Sequence, residues 1–210
     1  MATLPEHSPT PAFAQASAGA AVEQRTATPA AAFALALEMF RRGERIDMVT
    51  LAGELGVART TLYRWTGDRD RLLSDLICSE LIDLLALLVE RTEARGLERI
   101  QRVADDFLTG LAAGGLQPFL AAEGEHGLQL VTELHGSVRP RIVATIAAYI
   151  EQEVADGYYE PPDSPELLAD VLVALGERFL HHGGDPSMNP DPATARRAIA
   201  LLLREEKAPK

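Results

Sequence analysis

Arg59, Thr60, Thr61, Tyr63 and Arg64 place five polar side chains of related chemistry within six positions of a 210-residue chain. A guanidinium can bridge two acceptors on a guanine edge, a threonine offers a hydroxyl and a methyl, and a tyrosine hydroxyl bonds phosphate. Such groups work only if one rigid scaffold holds them facing outward. Leu51, Ala52 and Leu55 share a helical face, Gly56 supplies a sharp turn, and Val57 and Leu62 return to the core. The spacing predicts a helix-turn-helix whose second helix enters a groove of double-stranded DNA. Thr50, in the first turn of the preceding helix, joins the contact set. An ordinary helical hairpin with a solvated polar face would share this periodicity, so the flanking residues decide.

Those flanks agree with a three-helix headpiece. Phe33, Leu37 and Phe40 recur at i, i+4 and i+7 on a first amphipathic helix that ends near Gly43. Asp47 stands where the second helix needs an N-cap. After Tyr63-Arg64-Trp65-Thr66-Gly67, Asp68 caps a further helix that starts near Arg69 and runs through Leu72-Leu73. The order helix, Gly-Val-x-x-x-Thr-Leu-Tyr, short turn, basic residue, Leu-Leu resembles the TetR family of bacterial repressors over about residues 30–77. The resemblance implies that Tyr63 binds phosphate, that Arg69 replaces a lysine gripping the DNA backbone, and that Arg59, Thr60 and Arg64 occupy base-reading positions. Thr61 matches the threonine before the Leu-Tyr pair. Three positions depart from the pattern: Asp47 replaces a threonine cap, Val49 stands where some members have arginine, and Thr66 replaces an aromatic, with Trp65 beside it.

Charge is distributed unevenly. The net formal charge is −11, yet Arg41–Arg71 holds seven arginines against five acids, while Leu76–Lys210 holds twelve cations against twenty-two acids. An acidic body behind a mildly basic headpiece orients the chain toward a duplex and opposes indiscriminate coating of nucleic acid. Aromatic residues are only 5% of a chain that is 47% hydrophobic, which favours helices over sheets. A single cysteine, Cys78, excludes an internal disulfide framework and fits a reducing cytoplasm. No apolar run approaches the ~20 residues needed to span a bilayer, so no membrane partner is expected. Residues 1–28, rich in Ala, Pro, Ser and Thr, read as a mobile tail without a secretory signal.

The expected fold class is all-α, with a helix-turn-helix headpiece over residues 29–75 and a helical effector-binding and dimerisation domain over 76–210. After a long helix ending near Gly96, helices are expected at 97–113, 116–123, 127–135, 138–156, 164–182 and 191–206. Ser164-Pro165-Glu166 and Asp191-Pro192 are helix starts, and Gly157 and Gly183-Gly184 are stops. Leu168, Val171, Leu172, Leu175 and Phe179 form one apolar stripe, and Ala195, Ala198, Ile199 and Leu202, with Leu203 alongside, another. Paired across a twofold axis, the two stripes would make the four-helix bundle of a homodimer. The middle helices are expected to enclose a small lipophilic effector, with Phe107, Leu111, Phe119, Leu128, Val131, Ile146 and Phe179 as walls and Cys78, His135 and Tyr149 as polar anchors. Thr61 to Leu73 also resembles the QsdR-type branch of the TetR family, which implies a γ-lactone or acyl-homoserine lactone effector.

Two other classes compete. Glu123, Glu125 and His126, and separately His181-His182, bring carboxylate and imidazole together, but neither group has an established metal-ligand spacing. Without a phosphate loop or nucleophile elbow, an enzyme acting on lactones is disfavoured, and no cofactor is expected. A protein-interaction adaptor with a residual headpiece is the third reading, opposed by the intact Arg59, Tyr63, Arg64 and Arg69 set.

Overall fold

The computed structural model describes residues 10–17, 27–112, 116–133, 136–178 and 192–204. All regular structure among them is helical: α1 (Pro11–Ser17), α2 (Pro29–Arg41), α3 (Met48–Glu54), α4 (Arg59–Thr66), α5 (Arg69–Arg91), α6 (Gly96–Ala112), α7 (Gln117–Thr132), α8 (Val138–Ala155), α9 (Pro165–Glu177) and α10 (Pro192–Leu202). α7 comprises two helical segments, as expected at 116–123 and 127–135, that meet at the kink of Gly124, where φ is 60°. Only a residue lacking Cβ adopts that conformation cheaply. No described helix is long and apolar enough to cross a membrane.

The chain divides into two compact units, one running to Ser79 with Gln117–Val138, the other comprising Glu80–Leu116 and the residues from Arg139 onward. By packing, α7 groups with the first unit, although it lies beyond the boundary expected after residue 75. The Phe119 ring of α7 stacks on Phe40 of α2 with centroids 4.9 Å apart. Leu72, Leu73, Leu76 and Ile77 of α5 are completely buried, so the first unit's core extends past the three helices that the sequence marks.

One correction concerns the tail. Residues 11–17 form α1, which packs on α2 and α4. Ala12 is completely buried, and Phe13 meets Phe33 edge-on at 5.6 Å. Thr10 donates to the Asp75 carboxylate from its backbone N–H at 3.2 Å and its hydroxyl at 2.5 Å. These tertiary contacts hold a seven-residue helix that would be marginal alone.

The second unit is tied by ion pairs, the most buried of them at Glu153. Glu153 of α8 accepts from Arg99 Nη1 at 2.7 Å, Arg95 Nη1 at 3.2 Å and the Gly96 amide at 2.7 Å. Burial works to raise this carboxyl, but the Gly96 amide and the two guanidinium groups outweigh it and hold it below the usual range. A Cβ on Gly96 would lie 2.0 Å from the Tyr158 carbonyl oxygen, so the α5–α6 turn tolerates no side chain there. Arg139 of α8 bonds Asp170 and Glu177 of α9 at 2.6 and 2.9 Å, and Arg196 of α10 bonds Asp105 of α6.

Candidate nucleic-acid interface

α4 is built as a presenting helix. Leu62 and Thr66 are buried and anchor one face, and the Thr66 hydroxyl donates to the Leu62 carbonyl at 3.1 Å. Small Thr66 thus takes the inward position, while Trp65 stays half-buried beside it. On the opposite face Arg59, Thr60, Tyr63 and Arg64 are exposed, Tyr63 by 45%, and Thr61 is half-buried. α3 starts at the Asp47 cap, whose Oδ1 accepts from the amides of Val49 and Thr50 at 3.0 and 2.8 Å. The Thr50 hydroxyl donates to the same oxygen at 3.0 Å, which holds that side chain against its own cap. The Thr50 amide, then its hydroxyl, keep the Asp47 carboxyl below its ordinary range against a small desolvation effect.

Arg69 differs from the exposed cations. Its Nε donates to the Ile46 carbonyl at 2.7 Å, and its Nη2 pairs with the carboxylate of Glu123 on α7. The neighbouring Asp70 carboxylate accepts from His126 Nε2 at 2.9 Å, in the tautomer or charged form that carries the proton there. Glu123 and His126, which the sequence left as a conceivable catalytic group, flank the Gly124 kink and are engaged with the first two residues of α5. Among the described residues no cluster of His, Cys, Asp and Glu could hold a metal ion.

The expected effector walls separate. Cys78, Phe119 and Val131 are buried in the first unit, with Leu128 half-buried there; Phe119 spends one ring face on Phe40. Phe107, Ile146 and Tyr149 are half-buried and Leu111 is buried in the second unit. His135 and Phe179 lie outside the described residues, as do His181 and His182.

The residues expected at the dimer surface differ in exposure within the chain. Leu168, Leu172, Ile199 and Leu203 are at most 8% exposed and belong to the chain's own core, and Leu175 and Leu202 are half-buried. Of the expected stripes Val171 (40%) and Ala198 are exposed, and beside them Leu167 (48%) and Ala174 on α9 and Leu201 (65%) on α10 are uncovered as well. Both α9 stripes have helical spacing, so periodicity alone does not separate them. Sequence reasoning also missed Glu123 as the partner of Arg69 and Thr10 as the partner of Asp75.

Residues 95–204 match the family model of the tetracyclin repressor-like C-terminal domain. The chain belongs to the TetR family. This TetR-family chain is also similar to a solved structure, that of the R. erythropolis transcriptional repressor QsdR from the TetR family. The two share 25% sequence identity and a TM-score of 0.69, over 85% of this chain and 97% of that one. No curated protein sequence matches significantly. This TetR-family member is therefore a DNA-binding transcriptional regulator, not an enzyme, with its helix-turn-helix formed by α3 and α4.

Proposed function

We propose that this regulator is a repressor that binds a palindromic operator as a homodimer and releases it when a small lipophilic effector binds. The outward display of Arg59, Thr60, Tyr63 and Arg64 on a helix anchored by Leu62 and Thr66 carries the DNA half of this reading. Arg59 and Arg64 choose sequence, at ~1–3 kcal/mol for each good bidentate base contact. Tyr63 positions the duplex through phosphate. Arg69 reaches a phosphate only by leaving Glu123, so the free protein holds a carboxylate where the backbone would bind.

The exposed stripe of Leu167, Val171, Ala174, Ala198 and Leu201 is the proposed dimer surface, because apolar side chains at helical spacing gain most by meeting their symmetry mates. Two headpieces about 34–36 Å apart then read successive major grooves. The proposed effector site uses Phe107, Leu111, Ile146 and Tyr149 of the second unit. Ligand there acts along α5, which contributes to both units, and changes the headpiece separation. A coupling of ~1–3 kcal/mol alters DNA affinity about 5–150-fold. The resemblance of Thr61–Leu73 to the QsdR-type branch makes a γ-lactone or acyl-homoserine lactone the first effector to try. Gel-shift titration of the promoter nearest its own gene, with and without such lactones, tests the reading. Absence of any inverted-repeat preference overturns it.

A further inference from the structure

Two donors in the second unit have no acceptor. Tyr149 Oη on α8 and Arg99 Nε on α6 are both buried without a hydrogen-bond partner, and the Arg99 guanidinium carbon lies 5.9 Å from the Tyr149 ring centre. Neighbouring acceptors are already engaged. Arg99 Nη1 binds Glu153 and Nη2 binds the Val89 carbonyl, both at 2.7 Å. The other Glu153 oxygen takes the Gly96 amide. Leaving a buried donor unmade is costly, so each of these two groups favours an acceptor.

The chemistry of the missing group follows from the donors. A guanidinium N–H can only donate. Burial pushes the Tyr149 hydroxyl up to about 12, so it stays protonated and able to donate at any physiological pH. Charge is already balanced, since Arg95 and Arg99 face Glu153 and Asp156. An anion would find no uncompensated cation to meet it. Neutral oxygen acceptors satisfy such donors without adding charge.

We infer that Tyr149 Oη and Arg99 Nε form the polar anchor of the effector site and select a neutral carbonyl compound, such as an ester, lactone, ketone or amide. This rests on the effector-responsive reading above and narrows the effector's chemistry within it. The half-buried Phe107 and Ile146 of the same unit supply apolar surface for the remainder of such a molecule.

The test compares the full chain with Tyr149→Phe, which removes one hydroxyl and leaves the ion pairs of Arg99 intact. The probes are γ-decalactone and N-octanoyl homoserine lactone, with 1-decanol and decanoate as controls of similar apolar length. Thermal shift is read in the absence of DNA, so that it does not depend on an operator being known. The expected result is stabilisation of the wild type by the neutral carbonyl probes over both controls. Tyr149→Phe should weaken that response about tenfold or more while its own melting temperature stays within a degree or two of wild type. An equal response in Tyr149→Phe overturns the inference, as does a preference for decanoate. No response of the wild type to either lactone also overturns it, and would mean that the two donors are met by water alone. Operator binding is scored separately by gel shift. Retained inverted-repeat binding alongside a failed thermal-shift test sinks the carbonyl anchor and leaves the repressor reading standing.

Discussion

Replacing Glu123 by Gln should make the free protein bind DNA more tightly. Arg69 pairs with Glu123 and also donates to the Ile46 carbonyl. The Glu123 side chain is only 4% exposed and that of Arg69 24%. The pair therefore lies between exposed ion pairs, worth about 0–1 kcal/mol, and fully buried ones, whose rupture costs about 3–5 kcal/mol. A duplex phosphate that claims Arg69 must offset something on the order of 1–2 kcal/mol, equivalent to about 5- to 30-fold in affinity. Glu123→Gln keeps the shape and an acceptor but removes the charge, so most of that handicap disappears. Fluorescence anisotropy with a labelled promoter duplex, titrated between 50 and 200 mM salt, measures both quantities that matter. Affinity should rise, and the slope of log K against log salt should steepen by about 0.9 for each phosphate newly held. The same substitution in an Arg69→Ala background should change neither. Equal tightening with and without Arg69 would show that Glu123 acts as a general repulsive charge and would refute the competition.

Tyr63→Phe should weaken every duplex to a similar extent, by about 1 kcal/mol for a lost phosphate bond, with the ranking of operator variants in gel shifts unchanged. Val171→Glu or Leu201→Glu should convert dimers to monomers in light scattering while the melting temperature of the monomer holds; Leu168→Ala, a core truncation, should instead cost about 2–5 kcal/mol in urea unfolding. Glu153 has a folded-state carboxyl held below its unfolded value, so its contribution to stability is present above pH ~4.5 and fades as pH falls through the folded value. Thermal melts from pH 7 to 3 should show that decline, and Glu153→Gln should be less stable at neutral pH with a flatter acid limb. Thr10→Val should lower stability by about 1–2 kcal/mol through loss of the hydroxyl bond to Asp75, read by urea unfolding.

The headpiece was legible because its signals are local. Asp47, Gly56, Asp68 and the Leu51–Leu62 apolar pattern each act within a few residues, and caps and turns are fixed by neighbours in sequence. The kink in α7 was readable for the same reason, since Gly124 breaks the helix where two separate helices were expected. What escaped depends on partners far along the chain. Thr10 meets Asp75 65 positions away and Arg69 meets Glu123 54 positions away. α1 looked like a tail because Ala and Pro carry no periodic signal strong enough to announce a seven-residue helix. Core and surface positions of α9 are not separable in the sequence because Leu167 and Leu168, and Val171 and Leu172, are adjacent apolar pairs. Either member fits the helical period, and only burial separates core from surface.

The α1 contact has a practical bearing on chimaeric regulators. A DNA-reading module cut at Thr28 and grafted to a foreign sensor would lose Ala12 and Phe13 from its interior, along with both donors that Thr10 gives to Asp75. The transplantable cassette is thus longer than the helix-turn-helix itself. It must begin by Thr10 and bring with it the α7 segment against which Phe40 and Arg69 rest.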